Sequence, residues 1–333
     1  MISKTIAYYF NLLVDYVWLG IFTTIYFVIV MFFVPFFPNI FYIFFAISAF
    51  GFFVLLFLIG SNTYRYLSKF DKMIINLLDE DKKNEAGLIN SPRKNSHAPE
   101  TVFYRIYEVV AAFSIYEASK GVIFSILVPN AEITPLNALF QDPQEFLMFL
   151  IFIVMSIQFI VGVSRHFESD FSFLNHMNIY AIINYVLIVG EAVSLLAMGI
   201  SVSYGNFALF SLWFIALLVI DYFWILLFKI LRAGGFGLKK AFGLRITDLE
   251  STLRIDLKVN QIVNKYWIGG NIAFIIYLSI MEPVAKGYIA LPEIFFNVYL
   301  SLMFVGVLIS TFVNSKCLSA LERIQGLNNK LSI

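Results

Sequence analysis

The feature that most constrains this chain is a series of apolar runs, each about 20 residues long, that recur from one end to the other. A helix of that length crosses the roughly 30 Å hydrocarbon core of a bilayer. The sequence therefore predicts an all-α, polytopic membrane helix bundle with eight transmembrane helices. These predicted helices, spans 1 to 8, cover residues 14–36, 39–60, 104–128, 145–165, 177–200, 206–228, 266–290 and 293–314.

The composition agrees with this fold class. Of the 333 residues, 60% are hydrophobic and 14% are charged, whereas about a quarter of the residues in a soluble domain are charged. Cys317 is the single cysteine, so an internal disulfide is excluded. We expect span 1 to be retained as a membrane helix, because the N-terminus lacks the basic cluster and small-residue cleavage site of a signal peptide.

Prolines and a glycine punctuate the short connections, which groups the eight spans into four hairpins. All but two of the 23 lysines and arginines then fall on one side, the side that faces the cytoplasm in most membrane proteins. We therefore expect both termini and two long connections, residues 61–103 and 229–265, to be cytoplasmic. The sequence predicts a multi-pass integral protein of the cytoplasmic membrane of a prokaryote.

Two short motifs predict an internal duplication. The sequence "EASKG" (117–121) in span 3 and "EPVAKG" (282–287) in span 7 lie 165 residues apart. Each half of the chain also has two spans, a long connection and two further spans. We predict that residues 1–165 and 166–333 are parallel copies of a four-span unit, related by an axis along the membrane normal.

Four carboxylates lie within the predicted spans: Glu117, Glu191, Glu282 and Asp221. Counted from the predicted outer ends, the three glutamates are expected at a common depth, about 14–16 Å below the outer surface. Asp221 is expected deeper, toward the cytoplasm. A charge at the bilayer centre costs at least about 2.5 kcal/mol, so we expect all four to face the interior of the bundle.

The two lysines outside the cytoplasmic set accompany two of these glutamates. Lys120 follows Glu117 by three residues and Lys286 follows Glu282 by four, so each pair shares a helical face. One hypothesis is a salt bridge that lowers the cost of insertion. The other is a counter-charge beside a carboxylate that serves a passing ion.

Glu191 and Asp221 have no such partner on their own helices. A lone carboxylate in an apolar interior favours its neutral form, which suits a proton carrier, and in a wet cavity it can coordinate a cation. Pro283, next to Glu282, removes a backbone donor and is predicted to kink span 7. We expect the kink to free a carbonyl near Ser279 and to help form an ion or substrate site.

The leading hypothesis is a membrane transport protein, channel or carrier, that moves a cation or proton along a polar path lined by these glutamates and Asp221, with Lys120 and Lys286 as counter-charges. The alternative is a non-conducting scaffold or accessory subunit of a larger membrane complex, in which the Glu/Lys pairs are interhelical salt bridges. A third hypothesis is an enzyme that acts on a lipid.

The motifs of other classes are missing or poorly spaced. No Ser–His–Asp arrangement occurs, and "AGGFGLKK" (233–240) lacks the pattern of a phosphate loop. His166 and His176 are ten residues apart, whereas helical metal ligands favour spacings of three to five. We therefore predict no enzyme activity, no cofactor and no metal site. The expected partners are membrane lipids, further copies of this chain or other membrane subunits, and not nucleic acid.

Overall fold

The computed structural model describes residues 38–82, 100–127, 143–174, 178–241, 266–285 and 292–331, and single positions at 21, 25, 26 and 29. This part of the chain is helical and contains no strand. The helices are α1 (Pro38–Lys82), α2 (Glu100–Leu127), α3 (Pro143–Leu174), α4 (Asn178–Ser203), α5 (Phe207–Ala241), α6 (266–279), α7 (Glu282–Ala285) and α8 (Glu293–Leu331).

Six apolar stretches within the described helices are long enough to cross a membrane. They are Phe41–Thr63, Pro143–Val163, Tyr185–Ser203, Phe207–Leu227, Tyr266–Val284 and Glu293–Ser315. These stretches match predicted spans 2, 4, 5, 6, 7 and 8, and they are what a multi-pass integral membrane protein requires. Span 3 coincides with helix α2, while span 1 lies almost wholly outside the described residues.

The turn between α4 and α5 is determined by two residues. Gly205 has a positive φ of 61°, and its N–H donates to the carbonyl of Val202 while Asn206 N–H donates to that of Ser201. This is the glycine-dependent Schellman ending of a helix. The Asn206 side chain then accepts a hydrogen bond from Leu209 N at 3.0 Å, which caps the start of α5. The two helices therefore form an antiparallel hairpin.

Helices α1, α3, α5 and α8 all begin at the end of the bundle where this turn lies, which we call the turn end. The contacts that align them are Glu145 against Gly205, Phe207 against Phe296, and Tyr42 against Phe295. The same four helices continue beyond their apolar stretches at the opposite end, which we call the loop end. There they reach Lys82, Leu174, Ala241 and Leu331.

Helix α6 is the centre of the described bundle. Within Tyr266–Val284, 78% of the apolar window is buried inside the protein, against 28% for Phe41–Thr63. Helix α6 contacts each of the four helices that begin at the turn end. The contacts are Tyr277 with Phe52 of α1, Trp267 with Phe159 of α3, Phe274 with Phe214 of α5, and Tyr277 with Tyr299 of α8. Any polar group on α6 therefore faces other helices.

Candidate functional site

The central helix is interrupted close to Pro283. Helix α6 ends at residue 279, and a short helix resumes at Glu282. Proline has no N–H to donate and disturbs the preceding turn. Within that turn, Met281 N–H donates to the carbonyl of Leu278 at 3.1 Å, three residues back. The carbonyl of Tyr277, four residues back, is thereby released from the helix and accepts the Tyr299 hydroxyl instead.

Glu282 lies at this interruption, in a buried polar site nearer the turn end. Its side chain is 5% exposed, and its Oε1 accepts a hydrogen bond from Ser211 Oγ of α5 at 3.1 Å. It also interacts electrostatically with Tyr299 of α8. Glu282 therefore connects the broken central helix to two of its neighbours.

A second polar site contains Glu191 of α4 and Asp221 of α5, which we call the acid pair. Glu191 is 0% exposed, and among the described residues neither of its carboxylate oxygens has a hydrogen-bond partner. It interacts electrostatically with Asp221. Asp221 is buried and accepts a hydrogen bond from Asn271 Nδ2 of α6 at 2.5 Å.

The hairpin explains why the acid pair meets. Glu191 lies fifteen residues before Asn206 and Asp221 fifteen residues after it, so an antiparallel pair of helices brings them to the same level. The residues just before them also touch: Gly190 leaves room for Ile220, whose Cδ1 would lie 3.2 Å from a Cβ at that glycine. Asp221 is therefore level with Glu191. The sequence had predicted that Asp221 lies deeper, toward the cytoplasm.

Glu282 and the acid pair lie at different levels of the bundle. Ser211, the partner of Glu282, precedes Asp221 by ten residues on α5, or about 15 Å at 1.5 Å per residue. The predicted common depth of Glu191 and Glu282 is therefore not observed. Helix α4 continues to Ser203, three residues past its predicted end at residue 200, which moves Glu191 about 4.5 Å farther from the turn end and accounts for only part of the difference.

Glu117 is also separate from the acid pair. Its carboxylate forms an ion pair with Lys120 Nζ at 2.6 Å within α2, with the lysine side chain 40% exposed. The ammonium group lies 4.9 Å from the Tyr116 ring centroid and interacts electrostatically with Tyr204, in the turn after α4. The pair thus lies at the turn end. Lys286 is outside the described residues.

A small cavity adjoins Asn271 and is lined by residues on both sides of it along α6, from Tyr266 to Phe274. Its volume is about 10 Å³, which is the space for one water molecule. The polar residues that line it are Gln158 of α3, Tyr266 and Asn271 of α6, and Ser310 of α8. Asn271 also holds Asp221, so the cavity and the acid pair share one side chain.

The polar groups around this cavity bond to one another across helices. Gln158 Nε2 donates to Ser310 Oγ at 3.3 Å, and Thr311 Oγ1 donates to Gln158 Oε1 at 3.1 Å. Tyr266 donates its hydroxyl to the Ser310 carbonyl at 2.9 Å. Tyr266, Ser310 and Thr311 were missed by sequence reasoning. For Ser310 and Thr311, the available signal was two adjacent hydroxyl residues within span 8.

No protein-family model, curated protein or solved structure matches this chain. The geometry of its buried polar side chains is therefore what bears on function.

Proposed function

We propose that this chain is a membrane transport protein, a channel or carrier, that moves a cation or proton through the polar interior of the bundle. The observation that carries the proposal is Glu191, fully buried beside Asp221, with neither oxygen hydrogen-bonded among the described residues. A buried charge without a partner is costly. Within membranes such groups occur mainly in ion paths and proton relays.

The two buried sites define a direction for the path. Glu282 and Ser211 form the site nearer the turn end, and the acid pair with Asn271 forms the second, about 15 Å along α5. The cavity beside Asn271 is lined on its loop-end side by Tyr266, which begins α6. Since α6 and α7 contribute to both sites, a displacement of this broken central helix would alter them together, which suits a carrier.

The proposal includes the wider topology. It comprises eight spans in four hairpins, both termini in the cytoplasm of a prokaryote, and a duplicated four-span unit. The contact between Gln158 of α3 and Ser310 of α8 supports the duplication. These helices are spans 4 and 8, the last of each half, and equivalent elements meet at a twofold axis along the membrane normal.

Flux in liposomes tests the transport proposal. The purified full-length protein is reconstituted, and the fluxes of H⁺, Na⁺ and K⁺ are followed with ion-sensitive dyes under a clamped potential. Glu191→Gln and Glu282→Gln should abolish flux while the protein stays monodisperse. Glu293→Gln, an exposed position at the start of α8, is the matched control and should keep it. Unchanged flux in both buried variants would contradict the proposal.

The scaffold alternative requires ion pairs between helices. The described pair, Glu117 with Lys120, lies within α2 and joins no other helix, so it does not favour this alternative. Purification with a stoichiometric membrane partner, together with no flux of any tested ion, would be the result that favours it.

A further inference from the structure

We infer that the acid pair holds a single proton, and that this proton exchanges with the loop end of the bundle through one water molecule in the cavity beside Asn271. The inference deepens the proposed function by naming the transported species. It rests on that function only in stating that the proton is carried across the membrane. Proton binding itself is a separate property of Glu191 and Asp221.

The surroundings of the pair favour one negative charge in total. Helix α4 packs against α2, α3 and α5, and Asp221 is the one described charged group that interacts electrostatically with Glu191. Two adjacent carboxylates in an apolar interior do not both ionise, because each charge opposes the other and neither is solvated. Asp221 has the amide of Asn271 as a donor, which stabilises a carboxylate, whereas Glu191 has no donor in the described part of the chain.

The proton is therefore assigned to Glu191 and the charge to Asp221. A proton that arrives from hydronium on the Asp221 carboxylate leaves a neutral water and lets Glu191 release its own proton to water, so the pair keeps one proton and one negative charge throughout. No other reactant is needed.

A metal ion fits this site poorly. Ca²⁺ takes six to eight oxygen ligands and Mg²⁺ an octahedron of six. The acid pair and Asn271 supply two carboxylates and one amide, and in the described part of the chain no group of three His, Cys, Asp or Glu side chains converges. A cavity of about 10 Å³ also has no room for a hydrated ion. A proton needs only one oxygen of the pair.

The cavity is suited to that water. A buried water makes about three hydrogen bonds, and Gln158, Tyr266, Asn271 and Ser310 all line the space. Gly270 lines it too, and a Cβ there would meet nothing within 4 Å. Alanine at position 270 can therefore occupy the cavity without displacing protein atoms and leaves every carboxylate in place.

Infrared spectroscopy of the purified full-length protein tests whether the pair holds a proton. At neutral pH we expect the C=O stretching band of a protonated carboxyl group, lost in Glu191→Gln and retained in Glu293→Gln. Asp221→Asn is a second variant, which should shift the same band because it removes the neighbouring charge. A spectrum that neither variant changes would overturn the inference.

Addition of ions at constant pH tests the choice of proton over metal. Na⁺, K⁺, Mg²⁺ and Ca²⁺ should each leave the band unchanged. Loss of the band on adding one of them would mean that this ion displaces the proton, and would overturn the assignment.

Exchange into D₂O tests the water. Gly270→Ala should slow deuteration of the band by about tenfold, the ratio expected for losing one hydrogen bond from the path. Gly51→Ala is the matched control, because a Cβ there also meets nothing within 4 Å and Gly51 does not line the cavity. Equal exchange rates in the two variants would exclude the route through this water.

The two proposals fail in different ways. A band that depends on Glu191, in a protein that carries no ion in liposomes, would refute transport and keep the proton site. Proton or cation flux without such a band would refute the proton site and keep transport.

Discussion

Tyr277 and Tyr299 each donate a phenolic hydrogen bond to the other's backbone carbonyl, at 3.1 and 3.4 Å, with their rings stacked 4.7 Å apart. The two carbonyl groups that accept these bonds differ in whether they also have a helical donor. The Tyr299 carbonyl lies inside the unbroken helix α8 and has a helical donor four residues on. The Tyr277 carbonyl has lost that donor, because Met281 N–H turns to Leu278. The Tyr299 hydroxyl thus replaces a missing helical bond.

This difference between the two carbonyl groups predicts that Tyr299→Phe and Tyr277→Phe lower the free energy of unfolding by different amounts. Tyr299→Phe leaves a buried carbonyl unpaired and should lower the free energy of unfolding by about 1–3 kcal/mol. Tyr277→Phe leaves the Tyr299 carbonyl with its helical donor and should cost about 1 kcal/mol or less. Unfolding of both proteins by SDS in mixed micelles gives the comparison. Equal costs would show that the helix break does not control the pair.

Close packing of α4 on α2 gives a second prediction. A Cβ at Gly199 would overlap the carbonyl oxygen of Ser114, and membrane helices approach this closely only at small residues. Gly199→Ala should therefore push the helices apart and cost about 1–3 kcal/mol.

Gly51 is the matched glycine for this experiment. It lies in α1 with nothing within 4 Å of a Cβ, so Gly51→Ala should be neutral or stabilise by about 0.4–1 kcal/mol. SDS unfolding compares the two variants. If both were equally stable, the α2–α4 contact would not be a close-packed one.

The hydrogen bond between Asn271 and Asp221 predicts a non-additive double mutant. Asn271→Leu removes the donor and leaves a buried acceptor, so it should destabilise by about 1–3 kcal/mol. The same change in an Asp221→Leu background leaves no acceptor unpaired and should cost much less. The four free energies of unfolding give the coupling directly. Additive costs would show that the two side chains do not act together.

Substitution of Lys120 tests the hypothesis that this lysine is a counter-charge on the ion path, against the hypothesis that it only forms a salt bridge with Glu117. Its partner Glu117 lies at the turn end and not beside the acid pair, so Lys120→Gln should leave both ion flux and unfolding temperature unchanged. The flux assay in liposomes and a thermal melt measure these. A loss of flux would restore Lys120 as a counter-charge on the path.

The helices were predictable because their signals are local. Apolar runs of membrane length gave the six confirmed spans, and the glycine between spans 5 and 6, Gly205, marked the α4–α5 turn as a helix breaker. The bend at Pro283 followed from its missing N–H. Pro283 offers no N–H to the carbonyl of Ser279, as predicted, and the structure shows in addition that the Tyr277 carbonyl accepts the Tyr299 hydroxyl.

The site was only partly predictable because its contacts cross between helices. Sequence spacing finds neighbours on one helix, as it did for Glu117 and Lys120. It does not give the register between helices, so Glu191 was placed level with Glu282, when its neighbour is Asp221. The bonds of Gln158 and Tyr266 to Ser310 span 152 and 44 residues, and no local pattern encodes them.

The length of α5 gives Asp221 a mechanical connection to the outside of the bundle. The helix runs unbroken from Asp221 to Ala241 at the loop end, twenty residues farther on, or about 30 Å. Asn271 lies on another helix, which ends within the bundle at residue 279. A displacement of the far end of α5 would therefore be transmitted along the helix to Asp221. It would change the distance between the Asp221 carboxylate and the side-chain amide of Asn271.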